Sequence, residues 1–252
     1  MKKQWSVGML VFDQVDAFDF VGPSEILSVT RYSAQDVQNM IFGSADEQPK
    51  PFLVHTVSET GGIVTASNGL RIMADYSIEN APQFDIVLIP GGFQPIIRKL
   101  IANTRVIQWI TDQTVELMTS VCTGAFALAQ AGLLNGKKAT TNRKGLDSFQ
   151  KYFPEVTVIQ DQKFVDEGSI ITAQGPDAGL HLAFHLVKRL LGEEVALMTA
   201  DTVEYDGYEK AFEVDFDSIV ASELAKNPVY VLVIREQELT GDKNKDPLKV
   251  AN

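Results

Sequence analysis

Short apolar runs of strand length recur along this chain, each followed by a stretch of helix length. That alternation limits the fold more than any other feature of the sequence. Gln4–Phe12 (QWSVGMLVF), Phe52–Ser58, Asp85–Pro90 (DIVLIP) and Glu116–Val121 (ELMTSV) are strand-length and continuously apolar or nearly so, the pattern of strands covered on both faces. Helices are predicted over Ser24–Ser33, Ile96–Gln113, Ala125–Leu134, Leu146–Tyr152, Ala178–Leu191 and Glu193–Thr202. Gly22-Pro23, Pro95, Pro154 and Gly192 mark their ends. A hairpin is predicted over Gly61–Ala74, turning at Ser67-Asn68-Gly69. Short extended pieces are predicted at Ala139–Thr141, Thr157–Gln160, Lys163–Val165 and Ser169–Ala173. The expectation is an α/β three-layer sandwich, a mostly parallel central sheet with helices on both faces.

At 252 residues and 45% hydrophobic, the chain has enough apolar material for a substantial core. Residues 1–205 are expected to form the α/β domain. Residues 206–252 are expected to form an extension packed on that domain or on a partner; within it Val229–Ile234 (VYVLVI) reads as a strand with no assigned place. A net charge of −11 repels phosphate backbones and anionic lipid, so neither nucleic acid nor membrane is an expected partner. No run reaches the roughly 18 apolar residues of a membrane helix. The start, MKKQWSVGML, lacks a small-residue cleavage site and reads as the first strand. A single cysteine allows no intramolecular disulfide, and a cytoplasmic location is expected.

That cysteine, Cys122, is the candidate nucleophile. A buried strand that runs through Cys122-Thr123-Gly124 directly into a helix makes an elbow, lifting the side chain above the sheet edge. The sulfur then lies near a helix N-terminus, which favours thiolate. Gly124 allows close backbone approach. Pro90-Gly91-Gly92 ends a neighbouring strand, where ligands bind in open α/β sheets. The amides of Gly91, Gly92 and Thr123 are candidate donors to a developing anion. Asp19, between Phe18 and Phe20, is the candidate acid; burial beside a thiolate raises a carboxyl pKa and equips it to hold a proton.

The blocks FDFVGPSEIL, DIVLIPGG, SVCTGAFALAQAGLLNGKKATT and KFVDEGSIITAQGPDAGLHLAFHLV resemble the ThiJ/PfpI superfamily, which has the flavodoxin-like, class I glutamine-amidotransferase-like fold. Within it the chain is most similar to the isonitrile hydratase branch, through D-x-x-G-P at Asp19–Pro23 and S-V-C-T-G-A at Ser120–Ala125. The resemblance implies a small-molecule substrate, a homodimer, and no metal or organic cofactor. It implies Cys122 as nucleophile assisted by Asp19 and Thr123, hydrating an isonitrile to an N-substituted formamide.

There are departures. Relatives often carry histidine after A-T-T, where this chain has Asn142, an amide that cannot serve as a base. Thr123 stands where protease-like relatives have histidine, so a Cys-His protease mechanism lacks its base. His181 and His185 share a helix face at a metal-pair spacing, but no third ligand is evident and packing or surface roles are expected; His55 is expected to be structural. Two alternatives remain open at this point: glyoxalase- or deglycase-like activity on small carbonyl compounds, and a non-enzymatic cysteine redox or stress sensor. A ligand-sensing module of the kind joined to a DNA-binding helix-turn-helix is a further reading, but the acidic tail lacks the paired basic helices of that partner.

Overall fold

The computed structural model describes residues 3–43 and 49–208. Contacts divide the chain into two units, Met1–Tyr205 and Asp206–Asn252, and the helices and strands from Trp5 to Thr202 belong to the first. Val229–Ile234 lies outside the described residues.

The elements are β1 (Trp5–Leu10), α1 (Ala17–Val29), α2 (Ala34–Phe42), β2 (Phe52–Ser58), β3 (Ile63–Thr65), β4 (Arg71–Met73), β5 (Tyr76–Ser77) and β6 (Ile86–Ile89). They continue with α3 (Gln94–Ala102), α4 (Thr104–Thr111), β7 (Leu117–Val121), α5 (Ala125–Gln130), β8 (Lys138–Ala139), α6 (Leu146–Tyr152), β9 (Thr157–Val158), β10 (Phe164–Asp166), β11 (Ile170–Ala173), α7 (Pro176–Leu191) and α8 (Glu193–Thr202). Seven strands form the main sheet in the order β10-β11-β7-β6-β1-β2-β5. Every pair is parallel except β10 with β11. This is the flavodoxin-like α/β sandwich expected.

Alternation along the central strands sorts the two faces. Val87, Ile89 and Met118 point into a core with Ile97, Val106, Trp109, Phe126, Leu128 and Phe149, from α3 to α6. Val121, one step out of phase with Met118, faces Gly179 of α7, which also touches Pro23 of α1. A side chain at Gly179 would meet Val121 and Pro23 at 3.2–3.3 Å, so glycine sets how closely α7 crosses. β6 and β7 are buried along their whole length, as strands covered on both sides must be.

The structure departs from the predicted elements in several places: α2 and β5 form where no element was predicted, α5 ends at Gln130 and not Leu134, and two helix boundaries move. The first helix begins at Ala17, not Ser24. Asp16 caps it by accepting from the Phe18 amide, and Gly22 and Pro23 lie inside it, not before it. Pro23, seventh of the thirteen residues of α1, has no N–H to return to the Asp19 carbonyl, so the helix runs through its middle one hydrogen bond short. Second, the predicted helix Ile96–Gln113 is two helices. Asn103 ends α3 and caps α4, its side chain accepting from the Arg105 and Val106 amides. The hairpin forms as predicted: β3 and β4 pair antiparallel, with Gly69 at φ +90° in the turn.

Candidate functional site

The strand order reverses beside β1: β2 lies to one side of it and β6 to the other. The candidate residues follow the C-terminal ends of β1, β6 and β7, the region where open α/β sheets bind ligands.

β7 ends at Val121, and Cys122 turns the chain at φ +58°, a left-handed conformation that non-glycine residues seldom adopt. Cys122–Gly124 make one turn of 3-10 helix leading into α5. Such a conformation costs about 1–3 kcal/mol and persists only where neighbours hold it. Here they do. Thr141 Oγ1 donates to the Cys122 carbonyl at 2.9 Å. Gly124 lies so close to β6 that an added Cβ would sit 2.0 Å from the Ile89 carbonyl oxygen.

Asp19, in the first turn of α1, has no solvent exposure. Its Oδ2 accepts the Gly91 N–H at 2.8 Å, while Oδ1 is buried with no hydrogen-bond partner. Burial pushes this carboxyl up to about 7, with Asp16 adding to the rise; the Gly91 N–H and the Cys122 thiol only partly oppose it. Burial also pushes the Cys122 thiol up to about 12, and the Asp19 charge adds to that. The Thr123 amide and the Asn142 side chain pull the other way. The two acids therefore hold two protons below about pH 7 and share one above it.

Two expectations about this region need correction. The Gly91 and Gly92 amides are not open to an oxyanion: Gly91 N–H is bound by Asp19, and Gly92 N–H donates to Thr123 Oγ1 at 3.0 Å. Thr123 Oγ1 in turn donates to the Gly92 carbonyl at 2.7 Å, so the PGG segment serves to anchor both neighbours of the sulfur. Gly91 is glycine for that reason, since a Cβ there would meet Thr123 N at 2.6 Å and Asp19 Oδ2 at 2.9 Å. The other correction concerns the thiol, whose pKa is raised, not lowered. α5 has only six residues and its N-terminal charge is outweighed by desolvation.

Two neighbours of the sulfur were not predicted as site residues. Asn142 follows Thr141, and its side chain opposes the rise in the Cys122 pKa. Asp16 acts on both acids from the cap of α1. The signal for Asn142 was its position in the A-T-T-N block; that for Asp16 was its D-A-F-D spacing from Asp19. A cleft of about 520 Å³ adjoins the elbow through Thr123, walled by Ile97, Arg98, Phe126, Gln130 and Phe153. Its size suits a small molecule. His181 Nε2 pairs with Tyr205 Oη at 2.9 Å and His185 Nε2 with Asp166 at 2.7 Å, so the two face different partners. Among the described residues no group of three or more potential metal ligands occurs.

The DJ-1/PfpI family model matches residues 5–189, most of the chain. The chain belongs to the DJ-1/PfpI family. Among its relatives is an isonitrile hydratase from Pseudomonas putida, 30% identical over 202 residues, covering 79% of this chain and 78% of that one. The transcriptional regulator CdhR of Pseudomonas aeruginosa is 30% identical over 149 residues, covering 58% of this chain but 43% of the regulator. A ThiJ/PfpI family protein from Pseudomonas syringae superposes with a TM-score of 0.67 at 22% identity, covering 81% of this chain and 76% of that one. This DJ-1/PfpI chain thus shares its fold with members whose names span enzymes and regulators.

Proposed function

We propose that this protein is a cysteine-dependent enzyme that hydrates an isonitrile to an N-substituted formamide, with Cys122 as nucleophile and Asp19 as proton carrier. The observation that carries this reading is the Cys122–Asp19 pair: a thiol and a buried carboxyl with one unpartnered oxygen, and no base acting on them among the described residues. An isonitrile carbon must gain a bond to sulfur and a bond to hydrogen. The pair supplies both when it holds a single proton.

The steps balance without an outside acid or base. Sulfur bonds to the terminal carbon as the thiol proton passes through Asp19 to that same carbon, giving a thioimidate R–N=CH–S. Water then adds across C=N: hydroxyl goes to carbon, and the remaining proton goes through Asp19 to nitrogen. Finally the C–S bond breaks, its electron pair stays on sulfur, and the hydroxyl proton returns to the thiol through Asp19. The products are R–NH–CHO and the starting pair. Thr123 supports the sulfur through its amide, and Gly91, Gly92 and Gly124 set the positions of Asp19, Thr123 and the elbow.

The doubly protonated pair has nowhere to send its second proton, because Asn142 is not a base. The same lack weighs against a carbonyl-isomerising or deglycase reaction, which needs a proton removed from carbon. A thiol held near pKa 12 is also a poor peroxide sensor at neutral pH.

Further parts of this reading are residues 1–205 as the catalytic domain with 206–252 as an extension, a homodimer, action in the cytoplasm, and no metal or organic cofactor. Phe18 and Val21, exposed on α1 beside Asp19, support a partner surface there, which light scattering after gel filtration tests. Incubation with an aromatic isonitrile should yield the formamide, and Cys122→Ala should yield none. Consumption of methylglyoxal instead, or formamide production by the alanine variant, overturns the proposal.

A further inference from the structure

The cleft beside the elbow has walls that the hydration chemistry does not account for. Gln94, Ile97, Arg98 and Ile101 line it at i, i+3, i+4 and i+7, so one face of α3 makes one wall. Phe126 and Gln130 line it from α5, and Tyr152 and Phe153 from the end of α6. β6 and β7 pair in parallel, and α3 and α5 start just past their C-terminal ends, so both helices run away from the elbow. The cleft therefore begins at Gln94 and Thr123, and Arg98 stands one helical turn, about 6 Å, further out than Gln94. Cys122 is not one of its walls, so the cleft suits the part of a ligand remote from the sulfur.

The walls differ in chemistry. Phe126 and Phe153 meet edge to face, with ring centroids 6.0 Å apart and planes at 77°, and present an aromatic surface to a flat ring. Among the described residues that line the cleft, Arg98 alone is charged. It makes no ion pair or hydrogen bond with any described residue, in a chain whose net charge is −11. Arg105, on α4, is by contrast held by Glu59 and Glu79.

We propose that this cleft binds an aromatic carboxylate, the ring against Phe126 and Phe153 and the carboxylate on the Arg98 guanidinium, so that the favoured substrate is an aryl isonitrile bearing a carboxylate. The guanidinium presents a planar pair of N–H donors that matches two carboxylate oxygens. An uncharged aryl isonitrile fills the aromatic part and leaves Arg98 to water. Para substitution points the carboxylate away from the reacting carbon, outward along the cleft as Arg98 stands from Gln94.

The isonitrile end of this ligand rests on the hydration reading. The preference for a carboxylate does not, and can be measured with no turnover. Calorimetric titration compares 4-formamidobenzoate with formanilide, the same ring without the carboxylate. Wild type should bind 4-formamidobenzoate about tenfold more tightly, the effect of one charge-assisted pair. Arg98→Ala should abolish that preference and Arg98→Glu should reverse it. Lys99→Ala removes the same charge from the next position on α3, outside the cleft, and should behave as wild type. Arg98 and Lys99 are exposed, so these variants should fold as wild type does. Absent binding of 4-formamidobenzoate, equal affinities for the two ligands in wild type, or a preference that survives Arg98→Ala overturns the proposal. In turnover, kcat/KM for 4-isocyanobenzoate should exceed that for phenyl isonitrile about tenfold, and Arg98→Ala should level the two. If the binding preference follows Arg98 but wild type consumes neither isonitrile, the hydration reading fails and the ligand class of the cleft stands.

Discussion

Two aspartates in this fold sit in opposite circumstances. Asp166, at the end of β10, is met by His185 at 2.7 Å, by Arg189 Nη1 at 3.0 and 3.1 Å and by the Gly168 N–H at 2.8 Å. Burial raises its pKa, but the His185 hydrogen bond, the Gly168 amide and Arg189 outweigh burial and hold the carboxyl below its ordinary value. Asp19 is fully enclosed, has one backbone donor, and is accompanied by a second acid in Asp16. Its pKa goes up. The compensated aspartate is a fastening between β10 and α7. The uncompensated one is a proton store, and the fold maintains it at a cost to stability.

The contrast breaks most visibly at Asp19 itself. Asp19→Asn keeps the shape and removes the titrating proton, and should lower isonitrile turnover about 100- to 10,000-fold, the range for loss of a general acid–base group. Wild-type kcat/KM should rise about tenfold per pH unit up to about 7 and then level, because only the singly protonated pair reacts. A profile flat from pH 5 to 8 contradicts this.

Stability should follow the same difference. A carboxyl at about 7 in the folded state and about 3.9 in the unfolded state binds more protons when folded between those values. Its contribution to stability is therefore greatest at low pH and falls as pH rises from about 4 to about 7, by up to about 4 kcal/mol. Urea melts of wild type and Asp19→Asn should diverge over that window, the variant gaining relative stability toward pH 7.

The elbow that presents the sulfur can be broken without touching either acid. Gly124→Ala, with its Cβ driven against the Ile89 carbonyl, should cost about 3 kcal/mol or more in a thermal or denaturant melt. The smallest effect belongs to the fastening. Asp166 is solvent-facing, so Asp166→Asn should cost about 0.5 kcal/mol at neutral pH and leave turnover unchanged. Because the folded-state pKa of Asp166 is lowered, that cost should vanish as pH falls through it.

Much of this was legible in the sequence, for identifiable reasons. β2, α6 and α8 fall where the pattern places them, because each is a single apolar or amphipathic run between clear breaks. The Cys122 elbow was legible because a buried strand joined directly to a helix leaves one geometry for the joining residue. The start of α1 was not, since Gly22-Pro23 resembles a boundary and only the Asp16 cap shows otherwise. The break at Asn103 depends on a side chain turning back onto two amides. The roles of the Gly91 and Gly92 amides depend on which acceptor reaches them first, and no local pattern records that Asp19 and Thr123 do. Asn142 belongs to the same class, because the thiol it acts on is 20 residues away in sequence.

Infrared difference spectroscopy of the carboxylic C=O band, titrated from pH 5 to 9 and assigned by its loss in Asp19→Asn, reads the proton on Asp19 directly. The band should be present at pH 5, half gone near pH 7 and absent at pH 9. No Asp19-dependent band at pH 5 means the carboxyl is already ionised there, and the proton-sharing pair described here does not exist.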